Sequence, residues 1–253
     1  MACTALRVGA TALMVVAWST TPAIEQTTVD SRRDDPPASV LSRAARAVEQ
    51  GRPADALREL EPFVDDHPDS ARLHHTLGLA YEKQQRYRLG AESFRRALEL
   101  DPRLHEARAP LGWCLYYLGR LDDAREVFER YLTAVPTDAR ALLALGLIEF
   151  DADRLDGART RWLQAIELTR ARNDVADEAL LRARLADVEQ RAGQLEAARR
   201  LLVVAIKLDP KNESYYYKLA RVLQRIGDAD GARRVLARRD EILAGGSATG
   251  QRP

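Results

Sequence analysis

Cysteine is almost absent. Two occur in 253 residues, Cys3 and Cys114, so no disulfide framework can hold this fold together. Cys3 precedes an apolar stretch and is not placed like the acylated cysteine of a lipoprotein. Cys114 is then alone in the body of the chain, where it serves as a small apolar core residue. Histidine is also scarce. His67 precedes Pro68 in a turn, and His74 and His75 are neighbours on a helix and point apart. His105 completes the set. No HExxH, CxxC or other metal-ligand spacing is present, so neither a metal nor a cofactor is expected. A Gly-rich phosphate loop and a GxSxG elbow are missing too. Charge of one sign is not in excess, with 39 Lys and Arg against 38 Asp and Glu. Nucleic-acid binders concentrate a basic surplus, so nucleic acid is not an expected partner. Here Arg alternates with Asp and Glu along helical segments, as on a solvated face laced with ion pairs.

Long hydrophobic runs are missing as well. The only extended uncharged stretch is Val8 to Ile24, at the N-terminus, and Pro22 and hydroxyl residues weaken its end. A spanning helix wants about 20 predominantly apolar residues. One positive charge at Arg7, a short apolar core at Val8 to Trp18 and small residues up to Ala23 form the three parts of a secretory signal. Residues 1–23 are therefore expected to be a signal peptide, and the mature protein to be exported or periplasmic. The alternative is an uncleaved signal anchoring the chain in the inner membrane, which would be its one tie to a membrane. Residues 24–36 have little apolar content and run into the pair Pro36-Pro37, as a disordered tether does. From Gly245 the composition is that of an unstructured end, and 247–253 is expected to be a disordered tail.

What fills the space between is one pattern reused. Gly78, Gly112 and Gly146 recur at an interval of 34 (112 − 78, 146 − 112), each after a Leu. Phe94, Phe128 and Trp162 keep the same period, as do Pro68, Pro102 and Pro136. A fixed period of this length marks a repeat array. The second unit reads Leu77-Gly78, Tyr81, Phe94, Ala97, Asp101-Pro102, with Gly90 where Ala is usual. The third has Leu111-Gly112, Ala124, Phe128 and Pro136; the fourth has Leu145-Gly146, Ala158, Trp162 and Ala165. The pattern resembles the tetratricopeptide repeat family, W-x2-L-G-x2-Y then A-x3-F then P. Six units result: 37–70, 71–104, 105–138, 139–178, 179–212 and 213–246. The first and last are degenerate, with Arg43 where Leu is expected and Arg239 where Ala is expected, as the solvent-facing ends of an open stack require. The resemblance implies an all-α fold, a right-handed α-solenoid of six helix-turn-helix repeats over 37–246.

Within each unit two amphipathic helices are predicted to pack antiparallel, with Gly51, Gly119, Gly193 and Gly227 at the turns between them. The small residue inside each first helix is expected to let the two backbones come close. The fourth unit is longer: Gly146 to Ala186 spans 40 residues (186 − 146). Arg170 stands there where Pro would end the helix, so the helix beginning near Leu155 should run on by a turn or more. Pro62 and Pro110 fall inside predicted helices and should kink them locally.

The resemblance further implies that first helices line a concave face that holds protein partners, in bacteria often those of a cell-envelope assembly or a secretion system. By spacing, that face carries Arg72, His75, Leu79, Glu82 and Lys83, then Glu106, Ala109, Trp113, Tyr116 and Tyr117, then Arg140, Leu143, Leu147, Phe150 and Asp151. Further along come Ala183, Asp187, Gln190 and Arg191, then Tyr217, Arg221, Gln224 and Arg225. Trp113, Tyr116, Tyr117, Leu143, Leu147 and Phe150 form an apolar and aromatic middle, with Arg72 and Arg140 beside it, as binding hot spots do. The expected occupant is an extended or helical apolar segment of another protein; neighbouring helices burying these side chains is the structural alternative. Self-assembly with a second copy is the alternative function. The Lys and Asn clamp with which some relatives grip a C-terminal carboxylate is missing, because Leu41, Ala45, Thr76, Arg140 and Ala144 stand in its places. With repeats filling the chain, no catalytic domain and no small-molecule substrate are expected.

Overall fold

The structure is a computed structural model and describes residues 35–248, all within one compact unit. The signal peptide and most of the tether expected from the sequence lie outside these residues, as does the tail beyond 248. Among the described residues there are twelve α-helices and no strand. They pair as α1 (Ala38–Glu49) with α2 (Pro53–Leu60), α3 (Ala71–Lys83) with α4 (Tyr87–Leu100), and α5 (Arg108–Tyr117) with α6 (Leu121–Ala134). The second half pairs α7 (Ala139–Asp151) with α8 (Leu155–Ala171), α9 (Val175–Arg191) with α10 (Leu195–Leu208), and α11 (Glu213–Ile226) with α12 (Ala229–Ala248). Each helix packs chiefly on its neighbours in sequence, which makes the fold an α-solenoid of six hairpins.

Hairpin geometry comes from a single left-handed residue. Gly51, Gly119, Gly193 and Gly227 all have positive φ. In the second and fourth units Gln85 and Asp153 take that conformation at φ 59° and 57°, which a side chain makes unfavourable by about 1 kcal/mol. The amide of Gly119 then donates to the Tyr116 carbonyl and that of Arg120 to the Leu115 carbonyl, both at 2.9 Å. Together they satisfy the carbonyls that the end of α5 leaves open. Several first helices start on a side-chain cap: Ser70 Oγ accepts from Leu73 N–H at 3.1 Å, and Asp138 Oδ1 accepts from Arg140 and Ala141 N–H at 2.8 and 3.1 Å.

The core is a column of rings and small residues. Phe94, Phe128 and Trp162 are fully buried. A methyl group added at Gly78 or Gly112 would come within 2.7 Å of the Phe94 or Phe128 ring, and one at Gly146 within 2.0 Å of Trp162. The glycines thus make room for a ring, not for the neighbouring backbone, as the sequence suggested. Where the second helix offers Leu60, Leu202 or Leu236 instead, the first carries Ala44, Ala186 or Ala220 at the same separation of 16 (60 − 44, 202 − 186, 236 − 220). The Trp162 indole N–H also donates to the Leu143 carbonyl at 3.1 Å, so its one polar atom is paired.

The fourth unit departs from the others as its sequence indicated. Helix α8 has 17 residues and runs past Arg170 to Ala171, and α9 also has 17. Between them Asn173 adopts φ 54°, and Asn173 and Asp174 N–H donate to the Arg170 and Thr169 carbonyls, the arrangement used inside the hairpins. The two long helices therefore form a hairpin of their own. A buried Glu178 accepts from Arg182 and faces Arg170 at 3.6 Å across it.

The prolines act at helix ends. Pro62 does not kink α2 but ends it at Leu60, after which Glu61–Phe63 turns as a 3-10 helix. Pro110 sits in the first turn of α5, behind a 3-10 turn at His105–Ala107, where its missing N–H breaks no helical bond. Two boundaries also shift. Asp35 and Pro36, placed by the sequence in the tether, are packed: Asp35 accepts from Ser70 Oγ at 2.5 Å and lies 3.6 Å from Arg72, and Pro36 is buried. At the other end α12 runs through Gly245 and Gly246 to Ala248, into the expected tail.

Gly112→Ala should destabilise the native chain by about 1–3 kcal/mol through overpacking, yet stabilise a Phe128→Leu background, where it recreates the Ala–Leu pairing. Urea midpoints of the four proteins check this, and the same sign in both backgrounds would refute it. Asp153→Gly should raise the midpoint and Gly119→Ala lower it, each by about 1 kcal/mol.

Candidate protein-binding face

Along the first half of the stack, first helices approach one another directly: α1 with α3, α3 with α5, and α5 with α7. No pair of second helices among the described residues comes as close, so the first helices line the inner side of the curve. Beyond α7 long side chains also join one first helix to the next. Arg140 Nε lies 3.6 Å from Asp177 Oδ2, Arg191 donates to the Phe150 carbonyl at 2.8 Å, and Lys218 donates to Asp187 at 2.5 Å.

The aromatic residues singled out by spacing form one cluster at the C-terminal end of α5. Trp113 is half-buried, stacked on Tyr117 at 6.0 Å and edge-on to Tyr116 at 5.9 Å and to the buried Phe128 at 5.6 Å. Tyr117 is the open member, 54% exposed, and is also stacked on Tyr87 at 4.6 Å. Spacing within first helices missed Tyr87, because it belongs to the start of a second helix, α4. The available signal was its place just after the left-handed turn at Gln85, beside the end of the next first helix. Glu82 faces the same cluster, and burial pushes its carboxyl pKa up while Lys83 opposes the shift.

Tyr116 joins this cluster to the next unit. Its hydroxyl donates to Asp151 Oδ2 at 2.9 Å, and burial together with that bond to the carboxylate pushes its pKa up to about 12. Leu143, Leu147 and Phe150 on α7 are half-buried and pack on the core made by α7, α8 and α9. One face of the Phe150 ring is closed by the Arg191 guanidinium, 3.7 Å from its centroid, and Trp162 lies 5.8 Å away. Neighbouring helices thus cover part of this stripe and leave part open. Arg72 and Arg140 are exposed but lie at the N-terminal ends of α3 and α7, engaged with Asp35 and Asp177. At 1.5 Å per residue, Arg140 is roughly 15 Å along α7 from Phe150. It and Arg72 stand at the far edge from the aromatic cluster.

Sequence spacing also missed Arg184 and Lys218. They occupy the unit position held by Thr76, Pro110 and Ala144 earlier in the chain, where the residues are small or apolar. Arg184 lies 3.9 Å from Asp187, the carboxylate that also accepts from Lys218 of α11. Cys114 behind the cluster is fully buried, and burial pushes its thiol up to about 12, so it stays protonated and unreactive. Among the described residues no group of three or more His, Cys, Asp or Glu is arranged to hold a metal ion. None of the described helices is long and apolar enough to cross a membrane.

The folded-state pKa of Tyr116 is above the ordinary tyrosine value, so the bond to Asp151 contributes fully below about pH 10 and is lost as pH rises through about 12. Tyr116→Phe should lower stability at neutral pH by about 0.5–1.5 kcal/mol and flatten the fall in stability across that alkaline window. Urea titrations at pH 8 to 12 read both effects; an unchanged alkaline slope would count against the bond.

Comparison with known proteins agrees with this architecture. Family models described as tetratricopeptide repeat match residues 41–105, 75–139 and 110–176, and a second such model matches 189–245. The stretch between the two, 177–188, falls within α9. A curated relative, Protein CTR9 homolog of Arabidopsis thaliana, is 31% identical over 138 residues, 52% of this chain and 12% of that protein. Among solved structures, PilF of Pseudomonas aeruginosa superposes with a TM-score of 0.65 at 19% identity, covering 82% of this chain and 96% of its own. PilW, described as a widely conserved type IV pilus biogenesis factor, gives 0.68 at 18% identity, covering 81% and 97%. At such identities the structural likeness shows the fold, while the family models span most of the chain. With six hairpins and matching models from residue 41 to 245, the chain belongs to the tetratricopeptide repeat family.

Proposed function

We propose that the inner face of the third and fourth hairpins docks an apolar segment of another protein, and that the chain is a non-catalytic scaffold. One observation carries this reading: the Tyr87–Tyr117–Trp113 stack, which is open to solvent at Tyr117 on a face where charged side chains would otherwise be expected. Rigid aromatic side chains already packed on one another lose little entropy on binding and offer large contact area. The groove is shallower than spacing suggested, since Leu143, Leu147 and Phe150 are half-covered from within. The contact surface is accordingly centred on Trp113, Tyr116 and Tyr117. Export, and a role in a bacterial envelope or secretion assembly, are supported by the apolar N-terminal stretch and by analogy with PilF and PilW.

A photo-crosslinking amino acid placed at Tyr117, with one at the exposed Leu163 of α8 as control, tests the reading in cells with envelope fractionation. The expected result is one adduct with a different protein from position 117, in an envelope fraction, and none from 163. An adduct at twice the chain's own mass would replace a foreign partner with a second copy. Equal or no crosslinking at both positions would overturn the inner face as the docking surface.

A further inference from the structure

The inner face changes character along the stack. On α3, on α7 and on the 3-10 turn before α5 its charges balance, Arg72, Lys83 and Arg140 against Glu82, Glu106 and Asp151. On α9 and α11 Arg184, Arg191, Lys218, Arg221 and Arg225 outnumber the carboxylates of that face, Asp187 and the Asp177 already beside Arg140. Asp187 is already shared, 2.5 Å from Lys218 and 3.9 Å from Arg184. Arg191 is held by the Phe150 carbonyl and lies 3.4 Å from Asp153. Arg225 reaches only the Gln190 carbonyl, at 3.4 Å, and Arg221 is exposed, with no ion-pair partner among the described residues. Lys218, Arg221 and Arg225 are spaced to share one side of α11. Like charges gathered this way repel one another until a counter-charge arrives.

We propose that the segment docked on the aromatic cluster continues into a run of Asp or Glu residues, whose carboxylates rest on the cations of α9 and α11. This deepens the docking reading above and rests on it. Arg191 joins the two halves, since it stands on α9 with its guanidinium 3.7 Å from the centroid of the Phe150 ring on α7. The site differs from the missing Lys and Asn clamp, which would lie in the earlier hairpins and grip a chain terminus. An acidic protein segment fits better than a single-stranded nucleic acid. Nucleic acid carries a charge at every phosphate, and at the aromatic cluster those charges would meet Glu82 of α3 and Asp151, which accepts from Tyr116 at 2.9 Å. The ring surface open at Tyr117 suits aliphatic and aromatic side chains.

Fluorescence anisotropy of the full chain with labelled probes tests this. The probes are an apolar peptide with an acidic tail, the same peptide with a glutamine tail, the acidic tail alone, and a short oligothymidine. The expected result is that the acidic-tailed peptide binds about tenfold tighter than the glutamine-tailed one at low salt. That advantage should disappear in an Arg221→Ala, Arg225→Ala variant of unchanged helicity, and in about 0.5 M salt. Equal binding of the two tailed peptides would overturn the acidic segment while leaving apolar docking standing. Failure of both to bind would overturn docking as well. Tighter binding of oligothymidine than of the acidic-tailed peptide would overturn protein as the occupant.

Discussion

A ring seated on a glycine one helix away organises most of this molecule. Phe94 on Gly78, Phe128 on Gly112 and Trp162 on Gly146 each close a hairpin from within. Phe94 and Phe128 belong to the same buried cluster as Leu111, Cys114 and Ile148 of neighbouring units, so one side chain joins local and inter-unit packing. Because rings fill these positions completely, the surfaces of the first helices are left free to carry something other than core. The aromatic cluster at the end of α5 grows outward from this column, with Trp113 edge-on to Phe128 and Tyr117 beyond it.

The lengthened fourth unit is the second organising feature. Both α8 and α9 gain length, and the turn between them copies the intra-hairpin geometry with Asn173 in the left-handed position. Past it, Arg and Lys side chains reach from one first helix to the next, Arg191 to the Phe150 carbonyl and Lys218 to Asp187. The change in length and the change in chemistry fall at the same place. On one side lie rings that pack on each other, and on the other long cations. At the far end Arg239, standing where the pattern has Ala, lies with its guanidinium 4.5 Å from the Tyr217 ring centroid.

Much of this was legible from residues alone, because a 34-residue period is a strong signal and the packing positions repeat with it. The helix pairs, the buried rings, the long helix beginning at Leu155 and the aromatic trio on α5 all follow from spacing. Other features were hidden for physical reasons. Gln85 and Asp153 adopt a backbone conformation that reading glycines alone does not reveal. Tyr87 reaches the face from a second helix, so face-by-face counting assigns it elsewhere. Arg184 and Lys218 hold a position that is small or apolar in earlier units. How far Leu143, Leu147 and Phe150 are covered depends on α8 and α9, and thus on a junction that departs from the period.

The pairing of Gly with a ring, or Ala with Leu, also constrains how such a chain can change by recombination between its own repeats. Sixteen residues separate the two partners in every hairpin (94 − 78, 202 − 186). An exchange between the third and fifth units within that interval joins Gly to Leu in one product and leaves a void. The reciprocal product joins Ala to Phe and is overfilled. An exchange outside the interval transfers both partners together and keeps the core intact. The hairpin, not the single helix, is therefore the smallest piece that can be duplicated, lost or swapped without repair elsewhere.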